Sequence, residues 1–188
     1  MTYPGTVPSA VVSIRRAVPD DLVGMAQVHV DAWKTTYRGM VSDERLDQLT
    51  VESDIAGGFG SMLKAPPPDV AQFVATIPPG EIVGFAMACP NREPDPEFTG
   101  ELGAIYLRKA YQRQGIGTAL VREAARHLRS TGRTSMIVWV LAQNPYRRFY
   151  ERLGGTLVRT RTAPSRIAGG PLPEVGYGWK EIGPLTRL

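Results

Sequence analysis

A turn with two glycines, set between a short apolar strand and a long amphipathic helix, constrains this sequence more than any other feature. Residues 102–107 are apolar and of strand length, and Gly115 and Gly117 lead into a predicted helix over residues 117–130. The first amides of a helix have no intrahelical partner and carry positive potential. Glycines also let an anion approach the backbone closely. The pattern therefore predicts a phosphate-binding turn at residues 112–117.

Other interpretations of this turn fit the residues to different degrees. Two glycines before a helix also occur as ordinary turn chemistry, which the residues alone leave open. A dinucleotide-binding fingerprint fits less well, because Leu120 replaces its third glycine and no acidic residue stands at the ribose-binding position. A P-loop is excluded, since no Gly-Lys-Ser/Thr run follows.

Hydrophobic periodicity along the rest of the chain predicts one mixed α/β domain. Helices are predicted to begin at Pro19, after the N-cap Ser42, and at Asn144 with Pro145. The turn at residues 78–80 predicts an antiparallel hairpin. Predicted strands cover residues 11–16, 71–77, 82–88, 102–107, 136–141, 156–162 and 175–182. We expect a single mixed sheet flanked by helices, in a domain over residues 10–183 between a flexible lead (1–9) and a tail (184–188).

Composition narrows the class of protein. The chain has 188 residues, 43% hydrophobic and 21% charged, which is enough for a core without metal or disulfide staples. Cys89 is the single cysteine, and neither a signal peptide nor a membrane-length apolar run occurs, so a cytoplasmic location is expected. The net charge of +4 is small and scattered, so neither nucleic acid nor membrane is an expected partner. Zinc-ligand spacing is absent, and no metal is expected.

The longer context of the turn resembles the acyl-coenzyme A signature of the GNAT family of N-acetyltransferases. That signature is Gln/Arg-x-x-Gly-x-Gly/Ala after a strand, matched here by Ile105-Tyr106-Leu107 and then Gln112-Arg113-Gln114-Gly115-Ile116-Gly117. The family's second hallmark is an Asn before a helix that ends in Phe-Tyr-Glu-x-Leu-Gly. It is matched by residues 144–154, which read Asn-Pro-Tyr-Arg-Arg-Phe-Tyr-Glu-Arg-Leu-Gly. The resemblance spans residues 12–182.

The resemblance implies the family's fold, acetyl-CoA as co-substrate, and acetyl transfer to a primary amine of a small molecule or peptide in a ternary complex. A non-catalytic coenzyme A-binding sensor is the alternative, because the phosphate turn is clearer than the catalytic groups. Dimers are frequent in the family, so a homodimer is compatible with the resemblance. The implied cofactor contacts are Ile105, Tyr106, Leu107, Gln112, Arg113, Gln114, Gly115, Ile116, Gly117, Thr118 and Asn144.

Two catalytic side chains are also implied. A lysine-like amine, with a pKa of about 10.4, must lose a proton before it attacks. Glu101 matches the base of several family members, and strand alternation predicts that it shares a face with Ile105 and Leu107; the alternative is an exposed strand-edge carboxylate. Tyr150 matches the family's proton donor to the leaving thiolate, although its helical spacing also fits a core residue. The Leu107 amide would meet the oxyanion.

Further residues are implied on the acceptor side. Trp33 and Tyr37 follow the first helix, where the family forms its acceptor pocket, although Trp33 fits core packing equally well. Asn144 stands six residues before Tyr150, where many family members have seven, so a role as a helix cap stays open. His29 lies on an apolar face and is predicted to be a core histidine.

Overall fold

The computed structural model describes residues 12–188, which form one seven-stranded sheet with helices on both faces. The lead predicted at residues 1–9 lies outside the described residues. The strands are β1 (Ser13–Arg16), β2 (Ala71–Ile77), β3 (Glu81–Pro90), β4 (Gly100–Leu107), β5 (Met136–Leu141), β6 (Thr156–Ser165) and β7 (Gly170–Trp179). The helices are α1 (Leu22–Thr36), α2 (Asp43–Gln48), α3 (Val51–Ala56), α4 (Ser61–Lys64), α5 (Ile116–Ser130) and α6 (Arg148–Arg152).

The sheet has the strand order β1-β2-β3-β4-β5-β7-β6, and only the β4–β5 pair is parallel. A parallel pair needs a long crossover connection, and α5 supplies it. The predicted hairpin at residues 78–80 is confirmed, because β2 and β3 pair antiparallel across it. The mixed α/β architecture predicted from the sequence is therefore confirmed.

The core lies in two layers, one on each face of the sheet. On one face, α5 buries the apolar stripe that its sequence predicts, with Leu120, Val121 and Leu128 fully buried. On the other face, Met25 and Val28 of α1 pack against the sheet. We call these the α5 face and the α1 face. Tertiary packing of amphipathic faces stabilises both helices more than intrinsic propensity does.

Several boundaries differ from the sequence predictions. The helix expected at Asn144 begins at Arg148, because the Asn144 Oδ1 accepts from the Tyr146 amide (2.8 Å) and closes a local turn instead. The sequence predicted neither α3 nor α4. A reciprocal capping box between Thr50 and Ser53 starts α3. The segment predicted as a tail packs on α5, and Leu185 is buried there.

Candidate active site

A gap in the sheet between β4 and β5 organises the site. The two strands pair only at Gly100–Met136 and Glu101–Ile137 and then diverge. The remainder of β4 keeps its pairing with β3, so its backbone groups on the opposite side have no strand partner. A cavity of about 790 Å³ occupies this gap. Its size and its unpaired strand edge suit an extended ligand that crosses the sheet.

The cavity is lined from both faces of the sheet. Ile105 and Leu107 pack with the α5 layer, whereas Tyr106 packs with the α1 layer, and all three line the cavity. Tyr150 and the glycine turn lie on the α5 side. The gap therefore connects two chemically different walls, an amide-rich wall beside α5 and an aromatic wall beside α1.

The glycine turn has the backbone geometry of an anion cradle. Gly115 precedes α5 in a left-handed conformation (φ 81°), which a glycine adopts without steric penalty. In the described part of the chain, the amides of Arg113, Gln114 and Gly115 donate no hydrogen bond, and the first-turn amides of α5 have no intrahelical acceptor. A Cβ on Gly117 would come within 3.3 Å of the Phe149 ring, so a larger residue would fill the space beside the amides.

Side chains of the turn hold its shape. The Gln112 amide donates to the Leu107 carbonyl (3.3 Å), and the Gln114 amide donates to the Ala110 carbonyl (3.0 Å). Ile116 is buried in the α5 layer. Of the residues predicted at this turn, Gln112, Arg113, Gly115, Gly117 and Thr118 line the cavity, whereas Gln114 and Ile116 do not.

The Leu107 amide faces the gap. The next amide, that of Arg108, donates to the Val83 carbonyl on the β3 side (2.9 Å). Successive amides of a strand point in opposite directions within the sheet plane, so the Leu107 N–H points away from β3. This orientation is the one that the predicted oxyanion contact requires.

Tyr150 is buried beside the gap and keeps its proton. Its ring stacks on Tyr177, with centroids 5.8 Å apart, and within residues 12–188 its hydroxyl has no hydrogen-bond partner. Burial raises the pKa of Tyr150 well above its usual value, and the nearby Tyr106 adds to the effect. The hydroxyl is therefore protonated at neutral pH and free to donate a hydrogen bond.

Glu101 lies on the opposite face from the one predicted. Gly103 is an extra residue in β4, opposite the Met87–Ala88 step of β3, and this β-bulge interrupts the alternation of side chains. Glu101 therefore projects on the α1 face, next to Cys89, rather than with Ile105.

The Glu101 carboxylate is 2% exposed and is held by Arg92. The Arg92 guanidinium binds both carboxylate oxygens, and the Arg92 amide donates to one of them (3.1 Å). This hydrogen bonding raises the already high pKa of Arg92. Glu101 does not line the cavity, although it stands where β4 and β5 begin to diverge.

The aromatic wall is held by a buried hydrogen-bond chain behind it. The Trp33 indole donates to His29 Nε2 (3.0 Å), so this nitrogen is an acceptor and carries no proton. His29 Nδ1–H then donates to Asp54 (2.7 Å). His29 is thus a satisfied core histidine, as predicted, and it fixes the orientation of Trp33.

Tyr37 and Asn144 meet at the same wall. The Asn144 amide donates to the Tyr37 hydroxyl (3.1 Å), while its carbonyl oxygen accepts from the Tyr146 amide. Both residues line the cavity with Trp33. Burial raises the pKa of Tyr37, so it also stays protonated. Asn144 therefore links the segment before α6 to the aromatic wall.

The sequence did not predict several of the residues that line the cavity, Trp139 and Glu174 among them. Of the described residues that line the cavity, Glu174 alone carries a carboxylate. It lies on β7 opposite Leu141 of β5 and is paired with Arg161 (2.8 Å). The alternating pattern of β7 marks a strand, but only its pairing with β5 brings Glu174 to the gap.

Neither a metal-binding cluster nor a membrane-spanning helix is found in the described part of the chain. Residues 12–188 contain no group of three or more His, Cys, Asp or Glu side chains placed to hold a metal ion. Among the same residues, no helix has the length and apolar character needed to span a membrane.

The chain matches known proteins along most of its length. Residues 30–155 match the model of the acetyltransferase (GNAT) family. The chain is 37% identical over 177 residues to YuaI, an uncharacterized N-acetyltransferase of Bacillus subtilis (strain 168), covering 94% of this chain and 98% of that relative.

Two solved structures share the fold. One is the PaiA N-acetyltransferase of Thermoplasma acidophilum in complex with coenzyme A (TM-score 0.65, 22% identity, 87% of this chain and 97% of that one). The other is Arabidopsis thaliana NAA60 in complex with a bisubstrate analogue (TM-score 0.64, 20% identity, 90% and 97%). Family match, curated relative and fold agree: the chain belongs to the acetyltransferase (GNAT) family and is an acyltransferase.

Proposed function

We propose that this protein transfers an acetyl group from acetyl-CoA to a primary amine of a small molecule or peptide, by direct attack in a ternary complex. The observation that carries the proposal is the cavity through the β4–β5 gap, which joins an anion cradle on one face to an aromatic wall on the other. The similar PaiA enzyme was crystallised with coenzyme A, and NAA60 with a bisubstrate analogue.

The chain's own backbone fits the co-substrate. Free amides at residues 113–117 suit a pyrophosphate, and the unpaired edge of β4 suits an arm that hydrogen-bonds like an added strand. Acetyl-CoA supplies an activated thioester. The Leu107 amide is oriented to stabilise negative charge on the carbonyl oxygen of the thioester.

Proton transfer is assigned to side chains on opposite faces of the gap. The Tyr150 hydroxyl, protonated and without a partner among the described residues, donates to the leaving thiolate. Glu101, at the apex of the gap on the α1 face, is proposed to accept the amine's proton through water. Arg92 holds that carboxylate in place, through its guanidinium and its backbone amide.

An acyl-enzyme route through Cys89 is disfavoured. The thiol is 3% exposed, and burial followed by the charge of Glu101 raises its pKa to about 11. A thiolate is the reactive form, and it is scarce at neutral pH under these conditions. Direct attack by the amine needs no such nucleophile.

The first test is calorimetric titration with acetyl-CoA, with NAD and ATP as controls. We expect binding in the micromolar range, loss of that binding in Gly117→Glu, and wild-type binding in Gly183→Glu. The matched control adds the same side chain at a glycine whose Cβ has no neighbour closer than 3.5 Å. Preferential binding of NAD or ATP would contradict the proposal.

A non-catalytic coenzyme A sensor is the second candidate, favoured because Glu101 is not among the described residues that line the cavity. An amine panel separates the two functions. Multiple-turnover acetylation of any primary amine supports the enzyme, whereas tight acetyl-CoA binding without turnover on the whole panel supports the sensor.

A further inference from the structure

Among the described residues that line the cavity, Glu174 is the one acidic group, and the proposed chemistry leaves it without a role. Its side chain is 19% exposed, so it is mostly removed from water. Arg161 Nε donates to one carboxylate oxygen, Oε2 (2.8 Å). The other oxygen, Oε1, accepts no hydrogen bond from any residue in the range 12–188.

The surroundings of Glu174 suit a cation with an apolar stem. Trp33, Tyr37 and Trp139 line the same cavity, and aromatic faces attract cations. Trp139 already holds one, because the Arg161 guanidinium lies 3.9 Å from its ring centroid. The negative charge of Glu174 also reaches the Tyr37 and Tyr106 hydroxyls, where it adds a smaller contribution to pKa values raised chiefly by burial.

Charge is segregated along the cavity. Arg113 and Arg152 are the basic residues among the lining, and Arg113 belongs to the phosphate turn. Glu174 is the acidic one and lies on the α1 face, in register with Leu141. A cation that enters the cavity therefore finds its carboxylate partner at Glu174, whereas Arg113 repels it at the phosphate turn.

We propose that Glu174 binds a cationic group of the acceptor through Oε1, so that the enzyme selects an acceptor that carries a positive charge on an apolar stem. This inference rests on the proposed function, since it names the acceptor class for the same site. Arg161 stays on Oε2, stacked on Trp139, and leaves Oε1 for the incoming cation.

The test compares two probes of the same shape, phenethylamine and 2-phenylethanol, by protein-observed NMR titration at pH 7. The amine is charged at this pH and the alcohol is neutral. Titrations use the free protein and the protein saturated with CoA. We expect the wild type to bind the amine about tenfold or more tightly than the alcohol, the range of a charge-assisted hydrogen bond.

Three variants locate the charge preference. Glu174→Gln should bind both probes with affinities within about twofold, because its amide carries no charge. Glu93→Gln removes the other carboxylate that Arg161 contacts, outside the cavity lining, and should keep the preference. Arg161→Met leaves Glu174 in place and should also keep it. Thermal unfolding checks that each variant is folded.

Several results would overturn the inference. One is equal binding of the amine and the alcohol to the wild type. Another is a preference for the amine that persists in Glu174→Gln. A third is loss of that preference in Arg161→Met, which would indicate that the Arg161–Glu174 ion pair is purely structural. These readouts need no turnover. Failure to bind acetyl-CoA or to acetylate any amine would instead remove the proposed function.

Discussion

Two tyrosines at the gap share one stack, but their hydroxyls differ. The Tyr177 hydroxyl donates to Glu151 (2.8 Å), whereas the Tyr150 hydroxyl faces the cavity without a partner among the described residues. Removing a hydroxyl costs stability only where it breaks a hydrogen bond. The pair therefore allows the proposed catalytic role of Tyr150 to be tested against a structural role at nearly the same place.

We predict that Tyr150→Phe lowers kcat by about a hundredfold, within the range of lost acid catalysis, with little change in acetyl-CoA affinity or in the free energy of unfolding. Tyr177→Phe is the matched control, expected to lose about 1 kcal/mol of stability and to keep its activity. Steady-state kinetics and urea unfolding measure both. Wild-type turnover in Tyr150→Phe would remove the residue from the mechanism.

The ion pair of Glu101 and Arg92 allows a second comparison between two single-residue variants. If the carboxylate is the base, Glu101→Gln should lower kcat by about a hundredfold at unchanged acetyl-CoA affinity. Arg92→Met keeps the carboxylate and should keep more activity than Glu101→Gln. Equal losses in the two variants, with matching losses of stability, would indicate that the Arg92–Glu101 pair only holds the loop after β3.

The hairpin of β6 and β7 packs against the aromatic wall of the cavity. Its connection carries Ile167 and Ala168 into the apolar cluster around Trp33. Arg166 in the same connection donates to Asp54 of α3 (2.8 Å), the carboxylate that also accepts from His29. A buried carboxylate thus joins the hairpin, α3 and the aromatic wall.

Replacement of Asp54 should uncouple these elements. The side chain is fully buried, and truncation leaves the His29 N–H without its acceptor, so we predict that Asp54→Ala costs about 3–5 kcal/mol. Asp47→Ala is the control, since its pair with Arg38 is exposed to solvent and should contribute little to stability. Urea unfolding compares them, and equal midpoints would show that the buried network adds no stability.

The sequence could predict the parts of this site that a single secondary-structure element forms, but not the parts that depend on strand pairing. The glycine turn and α5 are local, because spacing and helix chemistry specify both, and the sequence predicted them. The gap is not local, since it depends on where β4 and β5 stop pairing. The bulge at Gly103 reversed the predicted face of Glu101, and the pairing of β7 with β5 placed Glu174; neither is encoded in a short window.

For the whole molecule, the ion pairs predict how stability depends on pH. Hydrogen bonds from Arg15 lower the pKa of Asp21, and Lys180 with Arg159 lowers the pKa of Glu97 to about 2. A carboxylate with a lowered pKa binds fewer protons in the folded state than in the unfolded state. Its stabilisation is therefore complete above the unfolded pKa of about 4 and is lost as pH falls.

We expect the free energy of unfolding to be nearly level from pH 7 to about pH 5 with respect to these two groups, and to fall toward pH 2. Asp21→Asn should reduce the slope in the acid range. Asp20→Asn, at an exposed neighbour that forms no ion pair within the described residues, should leave the slope unchanged. Urea unfolding at several pH values gives the slopes, and identical slopes for the wild type and Asp21→Asn would contradict the assignment.

The opening between β4 and β5 also has a kinetic consequence. Because one wall of the cavity belongs to the α5 face and the other to the α1 face, we expect the acetyl donor and the amine to reach the gap from opposite sides of the sheet. Neither then blocks the route of the other. Double-reciprocal plots should intersect rather than run parallel, and free CoA should compete with acetyl-CoA but not with the amine.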